Sequence, residues 1–381
     1  MIEVSAPGKL YIAGEYAVVE PGHPAILVAI DQFITVSLEK TENVGSITSF
    51  QYGNLPILWR RQNDLLVLDK RENPFHYILA AINVTESYAK ELGKELSFYS
   101  LMVDSELDSS NGRKYGLGSS AAVTVATVQA LCQYYDLGAN NETIFKLAAL
   151  AHLSVKSNGS CGDVAASVYG GWLAFTTFDR EWVLKQQEQN QSVKTLIERE
   201  WPHLSITPLT PPLDLRLVIG WTGSPASTSH LVDEVTNQRS RDKQAYEVFL
   251  KESALCVNRM IEAFQAGDIK AIQTQIRKNR KLLVQMSKDT GVTIETPALT
   301  QLCEVAEIYN GAAKSSGAGG GDCGIVLFDR KEGLLSLMTA WEEKDITNLP
   351  LHQDLNLIIC LLSNLMMYFY IIMIKKLVTK M

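Results

Sequence analysis

The chain runs to 381 residues, 46% hydrophobic and 20% charged, with a formal net charge of −7. That length accommodates two domains with a sizeable core, and an acidic body without a long basic run argues against a nucleic-acid partner. Six cysteines scattered without a CxxC pair read as reduced thiols and argue against a zinc site.

The opening MIEVSAPGK lacks a charged segment followed by an apolar one, so no signal peptide is expected and the body is assigned to the cytoplasm. Residues 1–105 are strand-rich: IEVSA, AILVAI, ITVSLE and LLVLD are short apolar or alternating runs separated by Gly, Pro, Asn and Asp. Within them, FHYILAAINVTESYAKELG follows Pro74 and stops at Gly93, which predicts a helix. SFYSLMVD (97–104) returns to strand. After a polar loop comes GLGSSAAVTVATVQALCQYY, uncharged from Gly116 to Tyr135 and too long for a strand, hence a helix buried on nearly all sides.

A helix over 142–155 leads to NGSCGDVAASVYGGWLAF, a glycine-rich turn, a short helix and a strand. Pro202, Pro208, Pro211 and Pro212 stud a polar stretch, which marks a domain boundary. Beyond it LRLVIGW is a strand, helices follow near 241–266, 268–287 and 298–310, then strand GIVLF, a helix over 331–344 and a short final strand. The pattern predicts an α+β protein with an N-terminal domain over 1–184, a linker over 185–212 and a C-terminal domain over 213–353. Leu355 to Ile374 are 20 residues without a charge, long enough for a membrane anchor. Their abrupt start and shrunken vocabulary, as from AT-rich DNA read out of frame, favour a non-native tail, and 354–381 is set outside the fold.

Three glycine-rich segments remain. GLGSSA formally matches GxGxxA with Asp136 twenty residues after Gly116, yet the long preceding loop and the uninterrupted helix exclude a dinucleotide fingerprint. Ser119 or Ser120 as a plain helix cap leaves both glycines and neighbouring Lys114 unexplained. Free backbone N–H groups, a helix N-terminus and a hydroxyl together suit a polyphosphate and its Mg²⁺. KSSGAGGGDCGIVLF (314–328) places five glycines in eight residues before a strand, where close backbone approach is needed. SAPGKLYIAGEYAVVEPGHPAI (5–26), taken alone, is a hairpin with a surface lysine.

Together, in order and spacing over roughly residues 4–351, these segments resemble the three motifs of the GHMP kinase superfamily. The wording of GKLYIAGEYAVVEPGHPAI, NGSCGDVAAS and GWTGSPASTSHLV (220–232) is most similar to its bacterial phosphomevalonate kinase branch. The resemblance implies a two-domain GHMP kinase fold. Its N-terminal domain is like domain 2 of ribosomal protein S5, its C-terminal domain is ferredoxin-like, and the substrates, ATP with Mg²⁺ and 5-phosphomevalonate, lie between them. It implies that Gly116, Leu117, Gly118, Ser119 and Ser120 line the ATP phosphates, with Ser120 on Mg²⁺ and Lys114 neutralising phosphate charge. It puts Lys9 and Asp163 at the acceptor oxygen and Asn158 and Ser160 at the acceptor's border. Ser316 with Gly319, Gly320 and Gly321 closes the cleft, and Tyr16 is a further candidate.

One departure stands out: His152 occupies the position of a Mg²⁺-binding glutamate of mevalonate kinases, so the metal is expected chiefly on ATP phosphates, Ser120 and waters. A phosphate acceptor is already ionised at pH 7 and needs no general base, which leaves Asp163 to fix Lys9. Mevalonate kinase, diphosphomevalonate decarboxylase and a non-catalytic module on the same fold are the other readings.

Overall fold

The computed structural model describes residues 1–52, 55–62, 65–68, 74–107, 115–155, 157–223, 231–235, 243–321, 323–330 and 333–351. The apolar tail 354–381 lies outside these residues. Among the described residues no helix is long and apolar enough to cross a membrane.

Two long antiparallel strands, β1 (Ile2–Ala13) and β2 (Pro24–Thr41), form the spine of the first sheet. The runs AILVAI and ITVSLE, read as separate strands, are one strand here, because Asp31 to Phe33 stay extended between them. Pairing slips between Pro7 and Lys9 and again between Tyr11 and Ala13. Such irregularities re-aim side chains out of the ladder, and Lys9 and Tyr11 sit at them. The sheet continues through β3 (Gly45–Ser49), β4 (Ile57–Gln62), β5 (Leu65–Leu68), β6 (Phe98–Ser105), β7 (Trp172–Thr176) and β8 (Ser205–Leu209), in the order β5-β4-β3-β6-β2-β7-β8. All pairs are antiparallel except β3 with β6.

Helices α1 (His76–Glu91), α2 (Ser119–Tyr134), α3 (Asn141–Ser154) and α4 (Gly162–Tyr169) pack together over this sheet. α2 touches α1, α3 and α4 as well as β1 and β2, which accounts for its lack of charge. A buried polar knot ties the layer down. Glu86 of α1 accepts both terminal nitrogens of Arg61 at 2.8 and 2.6 Å and the hydroxyls of Tyr99 and Tyr135 at 2.9 and 2.8 Å. The Arg61 guanidinium also lies over the Trp59 ring, 5.1 Å from its centroid.

The stretch 185–212, expected as a linker, is structured. It holds the end of α5 (Arg180–Glu188), all of α6 (Val193–Glu198) and β8, which closes the edge of the first sheet against β7. Lys146 is buried there, donating to the carbonyls of Ile197 and Arg199 at 2.9 and 2.7 Å. Pro208 pairs with Leu173 within β8, which is possible because an edge strand needs no donor on its outer side.

The second sheet comprises β9 (Leu215–Trp221), β10 (Ala312–Ser315), β11 (Cys323–Asp329) and β12 (Thr347–Leu349) in the antiparallel order β10-β11-β9-β12. Helices α7 (Lys243–Ala266), α8 (Ile269–Thr290) and α9 (Pro297–Ile308) lie between β9 and β10, and α10 (Leu334–Glu342) between β11 and β12. This is the ferredoxin-like order that the resemblance implied. α7 also packs on β2, and its Phe264 ring lies 5.2 Å from that of Trp172 in β7, so one apolar core runs from Val4 to Leu349 and joins the two sheets.

Candidate active site

The first wall is the start of α2. Its N-cap is Gly118 at φ +86°, and no side chain caps the helix, so the plain-cap reading of Ser119 and Ser120 does not hold. An uncapped helix start leaves amide groups and the positive end of the helix dipole for an anion. Lys9 lies along this loop: its backbone N–H donates to the Leu117 carbonyl at 2.8 Å and its Nζ to the Gly116 carbonyl at 3.4 Å. Its stem rests on Gly118, where an added Cβ would stand 3.0 Å from Lys9 Cε. Gly118→Ala would strain the left-handed backbone and push the lysine aside. Turnover is expected to fall by ~10²-fold, the cost of misplacing a reacting group by about an ångström. Steady-state kinetics alongside a circular-dichroism melt would separate this from unfolding.

The second wall is the turn between α3 and α4. Cys161 at φ +62° is the α4 N-cap, which swings Asp163 into the first helical turn, its Oδ1 accepting from the Val164 N–H at 3.0 Å. Ser160 Oγ accepts from the Gly162 N–H at 3.2 Å and meets the Tyr11 hydroxyl at 3.0 Å. Asn158 Nδ2 donates to Asp233 at 2.6 Å. Burial, reinforced by the Asp163 charge, pushes the Cys161 thiol up to about 12 and holds the Tyr11 phenol well above its usual range.

His152 closes the end of α3. Thr124 Oγ1 donates its one proton to the Ser120 carbonyl at 2.8 Å, so the His152 Nε2 at 3.2 Å is the donor of that pair. Its ring sits 5.0 Å from that of Tyr77. Burial lowers its pKa against the opposing pull of Asp163, which keeps the imidazole neutral at pH 7. A neutral ring tied to Thr124 is no substitute for a carboxylate on Mg²⁺.

The third wall comes from the far end of the chain. Ser316 Oγ donates to the Tyr11 carbonyl at 2.9 Å and accepts the Tyr11 N–H at 3.0 Å. The Tyr16 hydroxyl donates to the Ala318 carbonyl at 2.5 Å, although Tyr16 itself is held at φ +62°. Lys314 and Glu15 form a fully buried ion pair beside them.

These walls enclose a cavity of about 440 Å³, a size suited to small ligands. Of the residues expected at the site, Lys9, Tyr16, Gly116, Gly118, Ser119, Ser120, Asn158, Ser160, Asp163 and Ser316 line it. Leu117 does not. Its side chain is buried in the core and its carbonyl instead anchors Lys9. Gly319, Gly320 and Gly321 also stand off the lining. The Gly320 N–H bonds the Ile294 carbonyl at 2.8 Å, and a Cβ on Gly319 would fall 2.2 Å from that oxygen. Gly319 and Gly320 lock the turn on its neighbour, while Gly317 and Ala318 face the cavity. Lys114 lies outside the described residues. Tyr11, Glu15 and Tyr77 line the cavity too. Tyr11 and Tyr77 carried no signal in the sequence, because they read as ordinary strand and helix residues.

Among the described residues, no three His, Cys, Asp or Glu side chains cluster as a metal cage. The Ser120 hydroxyl and the Asp163 carboxylate share the cavity with the open start of α2. That oxygen set fits Mg²⁺, which keeps several waters and binds through substrate phosphates.

Residues 76–171 match the family described as GHMP kinases N terminal domain, and residues 260–345 match GHMP kinases C terminal. A Streptomyces phosphomevalonate kinase is 38% identical, over 91% of this chain and 95% of its own. The solved phosphomevalonate kinase of Streptococcus pneumoniae, in complex with phosphomevalonate and AMPPNP, superposes with a TM-score of 0.81 at 32% identity, covering 93% of this chain and all of its own. The Lin0012 protein of Listeria innocua superposes with a TM-score of 0.87 at 40% identity, covering 92% of this chain and 97% of its own.

Proposed function

The chain belongs to the GHMP kinases, and from that premise we propose that it transfers the γ-phosphoryl group of ATP to the phosphate of 5-phosphomevalonate, giving 5-diphosphomevalonate and ADP in the mevalonate route to isoprenoids. The observation that carries this reading is the placement of Lys9, with its backbone bound to the phosphate loop and its stem across Gly118, in one cavity with Asp163.

The acceptor's second pKa is near 6, so its attacking oxygen is already an anion at pH 7. A new bond forms from that oxygen to the γ-phosphorus as the bond to the β,γ-bridging oxygen breaks, and ADP departs with the electron pair. No proton needs to move. Two dianionic phosphates must instead be brought together, which is a problem of positioning and charge. The α2 amides and the Ser119 and Ser120 hydroxyls cradle the ATP phosphates, and Lys9 bridges the transferring phosphoryl and the acceptor. Asp163 orients Lys9. Asn158, Ser160 and Ser316 border the acceptor. Mg²⁺, held by Ser120 and the phosphates, supplies charge neutralisation when bound. Cys132, Cys161, Cys256, Cys303 and Cys323 are buried free thiols, which supports a reducing, cytoplasmic setting.

A coupled ADP-release assay with phosphomevalonate and mevalonate side by side tests the reading. kcat/KM is expected to favour phosphomevalonate by ~10²-fold or more, because a site built for a second phosphate is left unpaired by an alcohol. A preference for mevalonate, or CO₂ release, overturns it.

A further inference from the structure

Lys9 and Tyr11 stand two positions apart on β1, and their pairing with Ala29 and Leu27 is regular between the two slips, so both side chains leave the same face of the strand. That places a ring beside the lysine. Lys9 Nζ lies over the Tyr11 ring, 5.5 Å from its centroid, and both residues line the cavity. A cation within about 6 Å of an aromatic centroid is drawn to the negative face of the ring, more strongly where water is excluded. Lys9 is buried, which puts this contact at the stronger end.

Tyr11 is itself fastened to the other two walls. Its hydroxyl meets Ser160 Oγ at 3.0 Å, and its backbone exchanges hydrogen bonds with Ser316 Oγ at 3.0 and 2.9 Å. A Cβ on Gly162 would fall 2.7 Å from the Tyr11 hydroxyl, so α4 starts directly against it. Burial keeps the phenol protonated. The ring is therefore a fixed, neutral surface, and it attracts an ammonium without adding negative charge to a cavity that receives two dianionic phosphates. We infer that Tyr11 is a positioning residue for the phosphoryl transfer, its ring face holding the Lys9 ammonium at the phosphate loop, opposite the Gly116 carbonyl. The inference rests on the reading of Lys9 as the bridging cation.

The contact can be read in the wild-type protein without substrate. In spectra of protein labelled with ¹³C-lysine, the Lys9 ε-methylene protons are identified by their absence from Lys9→Met. They are expected upfield of the ordinary lysine position, because protons above an aromatic face are shielded. Tyr11→Phe keeps that shift and Tyr11→Leu loses it. An unshifted wild-type signal overturns the inference without any Tyr11 variant having to fold. In turnover of 5-phosphomevalonate, Tyr11→Leu is expected to lower kcat by ~10- to 30-fold, the loss of a cation–π contact at a desolvated site, with KM for ATP unchanged. Tyr11→Phe restores the rate to within ~5-fold of wild type, since it lacks only one neutral hydrogen bond. In a Lys9→Met background the change Tyr11→Leu costs less than ~3-fold, because the ring has no ammonium left to hold. Equal losses in both backgrounds make Tyr11 a purely structural residue and overturn the inference. A Lys9→Met enzyme as active as wild type, or a wild type inactive on 5-phosphomevalonate, removes the functional reading and the inference together. An active wild type with an unshifted Lys9 signal removes the inference alone.

Discussion

Lys9→Met is expected to lower kcat/KM by ~10³-fold, the scale on which preorganised cations stabilise a transferring phosphoryl group, with an unchanged thermal melt. Lys9 is 8% exposed, so Met fills the same space over Gly118 while the ammonium charge and its hydrogen bond to the Gly116 carbonyl are lost. Asp163→Asn separates two accounts of the site. If Asp163 only orients Lys9, the amide costs ~10-fold, whereas the loss of a proton-abstracting base costs ~10²–10⁴-fold. The rate should also level off above the acceptor's own pKa of about 6. Rates from pH 6 to 9 for both variants decide the matter. An Asn enzyme as inactive as the Met enzyme across that range makes Asp163 more than an orienting group.

Glu86→Ala is expected to destabilise the N-terminal sheet and its helices by ~3–5 kcal/mol, the usual cost of removing one partner of a buried ion pair. Arg61 and the hydroxyls of Tyr99 and Tyr135 lose a shared acceptor together. The knot joins β4, α1, β6 and the end of α2, so the loss spreads beyond one contact. Urea denaturation followed by far-ultraviolet circular dichroism would measure it. Glu86→Gln keeps an acceptor but not the charge, and should fall between the two. A Glu86→Ala protein within ~1 kcal/mol of wild type, the range of an exposed pair, would show the pair to be worth no more than a surface one.

Much of this architecture was legible in the sequence because its signals are local. The uncharged run of α2, and Pro74 ahead of α1 with Gly93 beyond it, each place a helix without reference to the rest of the chain. Three glycine-rich segments were legible as partners through their resemblance, in order and spacing, to the three motifs of the GHMP kinases. What escaped depends on contacts between distant residues. The prolines of 202–212 signal a break until β7 is present for Pro208 to lie against. Glu15 looks like any turn glutamate until Lys314 appears 299 residues later. Gly319 looks like a ligand-facing glycine, and the Ile294 carbonyl explains why it cannot carry a side chain.

The hydrogen bonds between Tyr11 and Ser316 span 305 residues. The wall that holds the phosphate loop is drawn from residues 9–169 and can assemble while the ribosome is still making the second half of the chain. The opposite wall cannot exist until residue 318 has been synthesised and folded back onto the first strand. Contacts of such long range are slow to form. The nascent protein therefore completes the wall at the start of α2 early and the wall of Ser316 to Ala318 last.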